Sequence, residues 1–143
     1  MYVNQISVFI ENTTGRLAEL VGVLGDNGIN IRGVCVADTV DFGILRCIVN
    51  DPAQATKVLK AYGFTASITK VIAVELSDVP GGFATVLNLL KEAAVGVDYV
   101  YSINKIGGGA AGLIIKVDDP EKASKVLQKA GVKTYSSEDL AEN

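Results

Sequence analysis

The stretch that decides the fold occurs twice, first as ISVFIENTTGRL at residues 6–17 and again as IAVELSDVPGGF at residues 72–83. Each copy is an alternating apolar run, a short polar loop, a glycine, and an apolar residue that opens a helical pattern. The two glycines, Gly15 and Gly81, lie 66 positions apart. A repeat of this length predicts two small domains of one fold.

Outside the repeated stretch, each copy shows the same order of periodic segments. Alternating apolar residues predict strands at 5–11, 29–37, 42–49 and 64–68 in the first copy, and at 71–76, 95–103, 113–117 and 132–135 in the second. Between the strands, apolar residues recur at helical spacing. The order is β-α-β-β-α-β in each copy, which is the pattern of ferredoxin-like domains.

The sequence therefore predicts an α+β protein made of two tandem ferredoxin-like units, each an antiparallel sheet with helices on one face. We expect the first unit at residues 1–69 and the second at residues 70–143. At 143 residues in total, each half is so small that its core is marginal alone.

Helix positions follow from the apolar spacing and from capping residues. Leu17, Leu20, Val21 and Leu24 form one apolar stripe at i, i+3, i+4 and i+7. The second helix of each copy is expected to begin at an Asp-Pro pair, at residue 51 and again at residue 119. Aspartate caps exposed N–H groups, and proline fits the first helical position.

Composition excludes several classes of function. The net charge is −3 and no basic stripe is present, which argues against nucleic acid as a partner. No run of about 18 apolar residues and no signal-peptide pattern is present, so we expect a cytoplasmic protein with no membrane partner.

Catalysis has little support in the sequence. The chain contains no histidine, which removes the commonest general base and metal ligand. No phosphate-binding or nucleophile-elbow spacing is found. We therefore expect no enzyme activity, no catalytic residue, no metal site and no cofactor.

Both cysteines, Cys35 and Cys47, lie in the first copy, on either side of a predicted hairpin centred near Asp41. They would lie opposite one another across two strands. We expect two buried thiols in a reducing compartment, and a redox switch is the alternative.

The motif at residues 11–17, ENTTGRL, followed by GINI at residues 28–31, resembles the ACT domain, a small regulatory module attached to many enzymes of amino-acid metabolism. In the second copy, SDVPGGF at residues 77–83 and VGVD at residues 95–98 resemble the same pattern. The resemblance covers nearly the whole chain, which therefore looks like a tandem ACT protein.

The resemblance implies that a free amino acid binds at an interface between two ACT units. The positions that match the family motif, or flank it, are Asn12, Thr13, Thr14, Gly15, Arg16, Leu17, Asn30, Ile31, Asp78 and Gly81. A glycine in the loop has a physical rationale, because the backbone turns sharply and presents N–H groups at a helix N-terminus, where a carboxylate binds. Carbonyl groups and an Asn or Asp side chain would accept from the ammonium group.

The second copy departs from the motif at two positions. Asp78 stands where Asn12 does, and Gly96 stands where Asn30 does. We therefore predict one kind of site, built mainly from the first copy's loop. The complementary wall comes either from the second copy of the same chain or from the first copy of another chain.

Each residue of the predicted site also has a purely structural explanation. Asn12 and Thr13 are ordinary turn residues, and Asn30 tolerates an unusual backbone angle. Arg16, on the first helical turn, is typically solvated.

Two functions remain open at this stage. The first is a regulatory module that binds a small amino acid and signals to an enzyme of amino-acid metabolism. The second is a protein-interaction subunit with degenerate sites and no ligand. A homodimer is expected under either account, because exposed edge strands of high β-propensity invite pairing.

Overall fold

The computed structural model describes residues 1–38, 41–106 and 110–141. In these ranges the chain forms seven strands and five helices: β1 (Val3–Glu11), α1 (Arg16–Asp26), β2 (Ile31–Asp38), β3 (Phe42–Val49), α2 (Pro52–Ala61), β4 (Thr65–Glu75), α3 (Gly82–Glu92), β5 (Val97–Ile106), β6 (Ala110–Val117), α4 (Pro120–Lys129), β7 (Thr134–Tyr135) and α5 (Ser137–Ala141). The predicted α+β class with two β-α-β-β-α-β units is confirmed.

The backbone divides into two compact units, Asn4–Thr69 and Met1–Val3 with Lys70–Leu140. In the first unit the strand order is β4-β1-β3-β2, and β3 is antiparallel to both of its neighbours. In the second unit the order is β7-β4-β6-β5, with all pairs antiparallel. Each order places the fourth strand of the unit beside the first, as in ferredoxin-like domains.

The core of each unit lies between one face of its sheet and its two long helices. In the first unit Ile6, Val8 and Ile10 alternate along β1 and are buried against Leu24 of α1 and Leu59 of α2. The second unit repeats the arrangement with β4, α3 and α4. Alternation along the strand and helical spacing in the helices bring these apolar faces together.

The segments predicted as strands at 64–68 and 71–76 belong to one strand. β4 runs without interruption from Thr65 to Glu75. The segment contains no glycine or proline, and β-branched residues predominate in it, so nothing ends the strand. Residues 65–69 of this strand belong to the first compact unit and residues 70–75 to the second.

The predicted apolar stripe of α1 is only half buried. Leu20 and Leu24 are buried as expected, and Val23 joins them in the core. Leu17 and Val21 are exposed instead. The apolar residues of α1 cover a wider arc of the helix surface than the part that packs on the sheet, so those at the border of the arc stay exposed.

The two cysteines do not face each other. In the antiparallel pairing of β2 and β3, Cys35 lies opposite Arg46, and Cys47 lies opposite Val34. Because residues on one strand alternate between faces, the thiols are on opposite faces of the sheet. Both are free, Cys35 half-buried and Cys47 buried. The redox-switch alternative, as a disulfide between them, is therefore excluded by the register.

Alkylation should distinguish the two thiols. Burial raises the pKa of Cys47 to about 12, and the thiolate is the reactive form. Iodoacetamide at pH 8 should therefore modify native protein once, at Cys35, and modify both thiols only after denaturation. Mass spectrometry of peptides reads the sites, and Cys35→Ser is the control that should stay unmodified. An adduct on Cys47 in the native protein would contradict the assignment.

The predicted aspartate caps are present on the second helix of each unit. The N–H of Gln54 donates to Asp51 Oδ1 at 3.1 Å, and the N–H of Lys122 donates to Asp119 Oδ1 at 3.1 Å. Each aspartate thus satisfies one N–H that has no partner inside the helix.

Removing either cap should destabilise the protein measurably. We expect Asp51→Ala and Asp119→Ala each to lower the free energy of unfolding by about 1 kcal/mol in urea titrations. Asp26→Ala is the control, because Asp26 lies at the C-terminal end of α1, where a negative charge is unfavourable. A loss in Asp26→Ala as large as in the cap variants would argue against capping as the cause.

Candidate ligand-binding site

The loop between β1 and α1 is a short turn with exposed polar side chains. The N–H of Thr13 donates to the carbonyl of Glu11 at 2.8 Å, and the N–H of Arg16 donates to the carbonyl of Thr13 at 3.2 Å. Asn12 is held at its backbone, where its N–H donates to the carbonyl of Asp41 at 3.3 Å. Together with the neighbouring Thr14, these side chains lie at the surface of the first unit.

A left-handed glycine joins this loop to the helix. Gly15 has φ 86°, and no side chain forms a hydrogen bond over the N-terminus of α1. Gly81 has φ 85° at the start of α3, which also has no side-chain cap. The first helix of each unit thus differs from the second, which is capped by aspartate. The N–H of its first residue donates to a loop carbonyl, that of Thr13 in the first unit and that of Val79 in the second.

Arg16, one of the predicted site residues, is only partly exposed to solvent. Its guanidinium lies 4.0 Å from the centroid of the Phe64 ring and forms an ion pair with Glu19 at 3.1 Å. A guanidinium held over an aromatic face and paired to a carboxylate is already engaged. The neighbouring Leu17 is exposed.

Asn30 and Ile31 lie at the opposite end of the unit from the loop. The loop contacts Asp41, which precedes β3, whereas Asn30 pairs with Asn50, which follows β3. The eight residues of β3 separate these ends by about 25 Å. The structure therefore does not bring Asn12 and Asn30 together within the first unit.

The backbone of Asn30 is fixed by a side chain. Its N–H donates to Asn50 Oδ1 at 2.9 Å, and its carbonyl accepts from the N–H of Asn50 at 3.2 Å. In the second unit Asp118 makes the same two contacts with Gly96, each at 3.0 Å. A Cβ on Gly96 would come within 2.7 Å of Asp118 Oδ2. A side chain at residue 96 would thus require the Asp118 carboxylate to move.

The loop between β4 and α3 repeats the turn of the first unit. The N–H of Val79 donates to the carbonyl of Ser77 at 2.9 Å, and the N–H of Gly82 donates to the carbonyl of Val79 at 3.0 Å. Asp78 and Gly81 lie at the surface, as Asn12 and Gly15 do. A Cβ on Gly82 would collide with the carbonyl oxygen of Ser77, so no other residue fits there without a shift of the backbone.

The sequence-based prediction missed a polar cluster at the end of β4. The hydroxyl of Tyr135 donates to Glu75 Oε1 at 2.8 Å, and Lys133 Nζ lies 5.4 Å from the centroid of the Tyr135 ring. Burial and the adjacent Glu75 carboxylate raise the pKa of Tyr135, which keeps the phenol protonated as a donor. A position-by-position comparison of the two copies would have found it, because uncharged residues occupy the equivalent places in the first unit.

The described ranges contain neither a metal-binding cluster nor a membrane-spanning helix. No group of three or more His, Cys, Asp or Glu residues there is placed to hold a metal ion. None of the helices described is long and apolar enough to cross a membrane.

Comparison with known proteins gives the family. The chain resembles protein BT0572 from Bacteroides thetaiotaomicron, with 37% sequence identity and a TM-score of 0.92 over 100% of this chain and 98% of that one. It also has the fold of the regulatory subunit of aspartate kinase from Thermus thermophilus, at 16% identity and a TM-score of 0.62, over 89% of this chain and 91% of that one.

The equivalent subunit from Thermus flavus matches at 17% identity and a TM-score of 0.58, over 90% of this chain and 92% of that one. No match was found among curated proteins. The family model for an ACT domain pair matches residues 1–143. The chain therefore belongs to the ACT domain pair family.

Proposed function

We propose that this chain is a non-catalytic regulatory module that binds a free amino acid and thereby changes how it meets an enzyme of amino-acid metabolism. The observation that carries the proposal is the contrast between the two helix starts of each unit. Aspartate covers the N-terminus of α2 and of α4, whereas a left-handed glycine leaves that of α1 and of α3 open.

An open helix N-terminus suits the carboxylate of an amino acid. The N–H groups of the first turn have no partner within the helix, and the helix dipole adds a partial positive charge. Such a contact contributes about 0.3–1 kcal/mol when exposed and about 2 kcal/mol when partly buried. The loop is already turned by Gly15, so the donors need no rearrangement when the carboxylate arrives.

The ammonium group of the ligand requires acceptors near the same loop. In the first unit the exposed amide of Asn12 and the loop carbonyls supply them. Asn30 is about 25 Å away within this unit. If Asn30 also takes part, a second unit has to supply it, either from the same chain or from another copy. The regulatory subunits of aspartate kinase that share this fold support a regulatory role.

A bound amino acid should raise the melting temperature. In a thermal-shift panel of the twenty amino acids at millimolar concentration, one selective ligand should stabilise the protein. A ligand at about a hundred times its dissociation constant adds about 2.7 kcal/mol, which corresponds to a few degrees. A flat panel over the whole set would contradict the proposal.

Variants of the two loops should respond unequally. Asn12→Ala should weaken binding of the selected amino acid about tenfold, because a hydrogen bond to a charged group is lost. Asp78→Ala, the matched change in the second loop, should have little effect. Calorimetric titration of both variants measures the difference. Equal losses in the two variants would argue against a site built mainly from the first loop.

One observation favours the second candidate, an interaction subunit. The exposed apolar side chains of the first unit include Leu17 and Val21 on α1 and Val34 and Val36 on β2. We call this group the apolar flank. Val34 and Val36 lie opposite core residues of β3 and thus on the helix side of the sheet, and β2 is the edge strand of its unit. An apolar edge of this kind favours association with a second copy.

Light scattering tests this association. We expect a homodimer at micromolar concentration, and Val36→Lys should convert it to a monomer by placing a charge in the apolar flank. Ile68→Lys is the matched control, since Ile68 is 47% exposed and Val36 is 45% exposed, and it should leave the dimer intact. A monomeric wild-type protein would contradict dimerisation.

A further inference from the structure

The second unit contains a cavity that is larger than the equivalent cavity of the first unit. It lies between the β4–α3 loop and the turn that joins α4 to β7, and its volume is about 400 Å³. The equivalent cavity of the first unit, between the β1–α1 loop and the turn after α2, is about 140 Å³. Only the larger one reaches the range of about 300–1,000 Å³ that is typical of small-molecule sites.

Residue differences between the copies account for the size of the cavity. In the first unit Arg16 and Phe64 both line the cavity, with the guanidinium 4.0 Å from the ring centroid. Gly82 and Val132 hold the equivalent positions in the second unit. Because the Ser77 carbonyl leaves no room for a Cβ on Gly82, the loop geometry itself keeps this position free of a side chain.

The lining of the larger cavity carries both signs of charge. Glu75 and Lys133 line it, together with Ser77 and Thr85. They are neighbours on adjacent strands, because the N–H of Glu75 donates to the carbonyl of Lys133 at 2.9 Å. At the equivalent positions of the first cavity stand Phe9 and Thr65.

Tyr135 fixes the carboxylate of this pair. Its hydroxyl donates to Glu75 Oε1 at 2.8 Å, and the register of β7 against β4 places Tyr135 opposite Ala73. The first copy has Ser67 at the equivalent position. One carboxylate, one ammonium group and the phenol that holds the carboxylate thus occur together only in the second copy.

From the cavity and this pair of charges we infer that the second unit binds a small α-amino acid within itself, with Glu75 facing the ligand's ammonium group and Lys133 its carboxylate. The inference rests on the proposed amino-acid-binding function and adds to it a site that lies in one unit and does not use Asn12 or Asn30. A zwitterion matches a cavity wall that carries one charge of each sign, whereas a simple anion would be repelled by the Glu75 carboxylate.

An NMR titration separates this site from the one proposed in the first loop. The full chain, labelled with ¹⁵N, is titrated with each of the twenty amino acids, and the amides of Gly131 and Gly15 are followed separately. Gly131 lines the cavity and Gly15 begins α1. For an amino acid that binds, we expect the Gly131 amide to shift in a saturable manner.

Variants then test which side chains recognise the amino acid. Lys133→Met should lower the affinity measured from the Gly131 amide about tenfold, because it removes one charge-assisted contact. The affinity measured from the Gly15 amide should stay unchanged. Glu75→Gln should do the same. Two control variants should change neither titration. Lys129→Met removes an exposed lysine of α4 that lies outside the cavity lining. Thr65→Ala changes the residue of the first unit that is equivalent to Lys133.

A filled cavity gives a second, independent test. Val132→Phe places in the second unit the residue that narrows the first cavity, and it should abolish the Gly131 response. If this variant does not fold, the exposed substitution Lys133→Met still decides the question. The N-acetyl and methyl-ester derivatives of the amino acid that binds should both lose affinity, because each lacks one charge.

The outcomes distinguish the two sites. Saturable shifts at Gly15 with none at Gly131 would overturn the cavity site and leave the proposed function standing. Shifts at Gly131 that Lys133→Met and Glu75→Gln do not weaken, or equal binding of the N-acetyl derivative, would overturn the assignment of the charged pair. If neither glycine amide shifts with any of the twenty amino acids, both proposals are overturned.

Discussion

A left-handed glycine between strand and helix is the constraint on which each unit depends. At Gly15 and Gly81 a Cβ would meet no atom within 4 Å, so the need for glycine comes from φ near +85° and not from crowding. This backbone conformation lets the helix begin directly after the glycine that ends the loop, at residues 12–15 in the first unit and 76–81 in the second. It also occupies the N-cap position with a residue that has no side chain, so neither α1 nor α3 has a side-chain cap. The same residue that makes the turn possible therefore also determines how the helix begins.

The two copies share this turn and differ in the side chains that lie next to the loop. The first copy places a guanidinium over an aromatic ring, with Glu19 as its counter-ion, and the space beneath the loop is small. The second copy has Gly82 and Val132 there, and the space is open. Burying Phe64 adds apolar contact to the first core, whereas the second unit forgoes that contact and keeps a charged pair at the cavity. The Ser77 carbonyl accounts for the missing side chain at Gly82, whereas no contact in the structure requires valine in place of phenylalanine at residue 132.

The sequence was most informative where local chemistry determines structure. β3 begins and ends at the predicted residues, and the aspartate caps at 51 and 119 are where the Asp-Pro pairs placed them. It was least informative where tertiary context decides. The exposure of Val21, for example, depends on how far the sheet extends over α1. For the candidate site, the loop was found from its motif. The engagement of Arg16 by Phe64 joins positions far apart in the chain, and no local pattern indicates it.

The loss of the second asparagine shows how a structural contact can limit where binding occurs. Asn50 and Asp118 both hold the backbone at the start of a unit's second strand, and each does so through one side-chain oxygen. With Asp118 in that role, its second oxygen occupies the space that a side chain on residue 96 would need. A side chain at residue 96 therefore requires the Asp118 carboxylate to move, and with it the contact that holds the backbone of Gly96. The charged pair at Glu75 and Lys133 lies at the opposite end of the same sheet, where this constraint does not act.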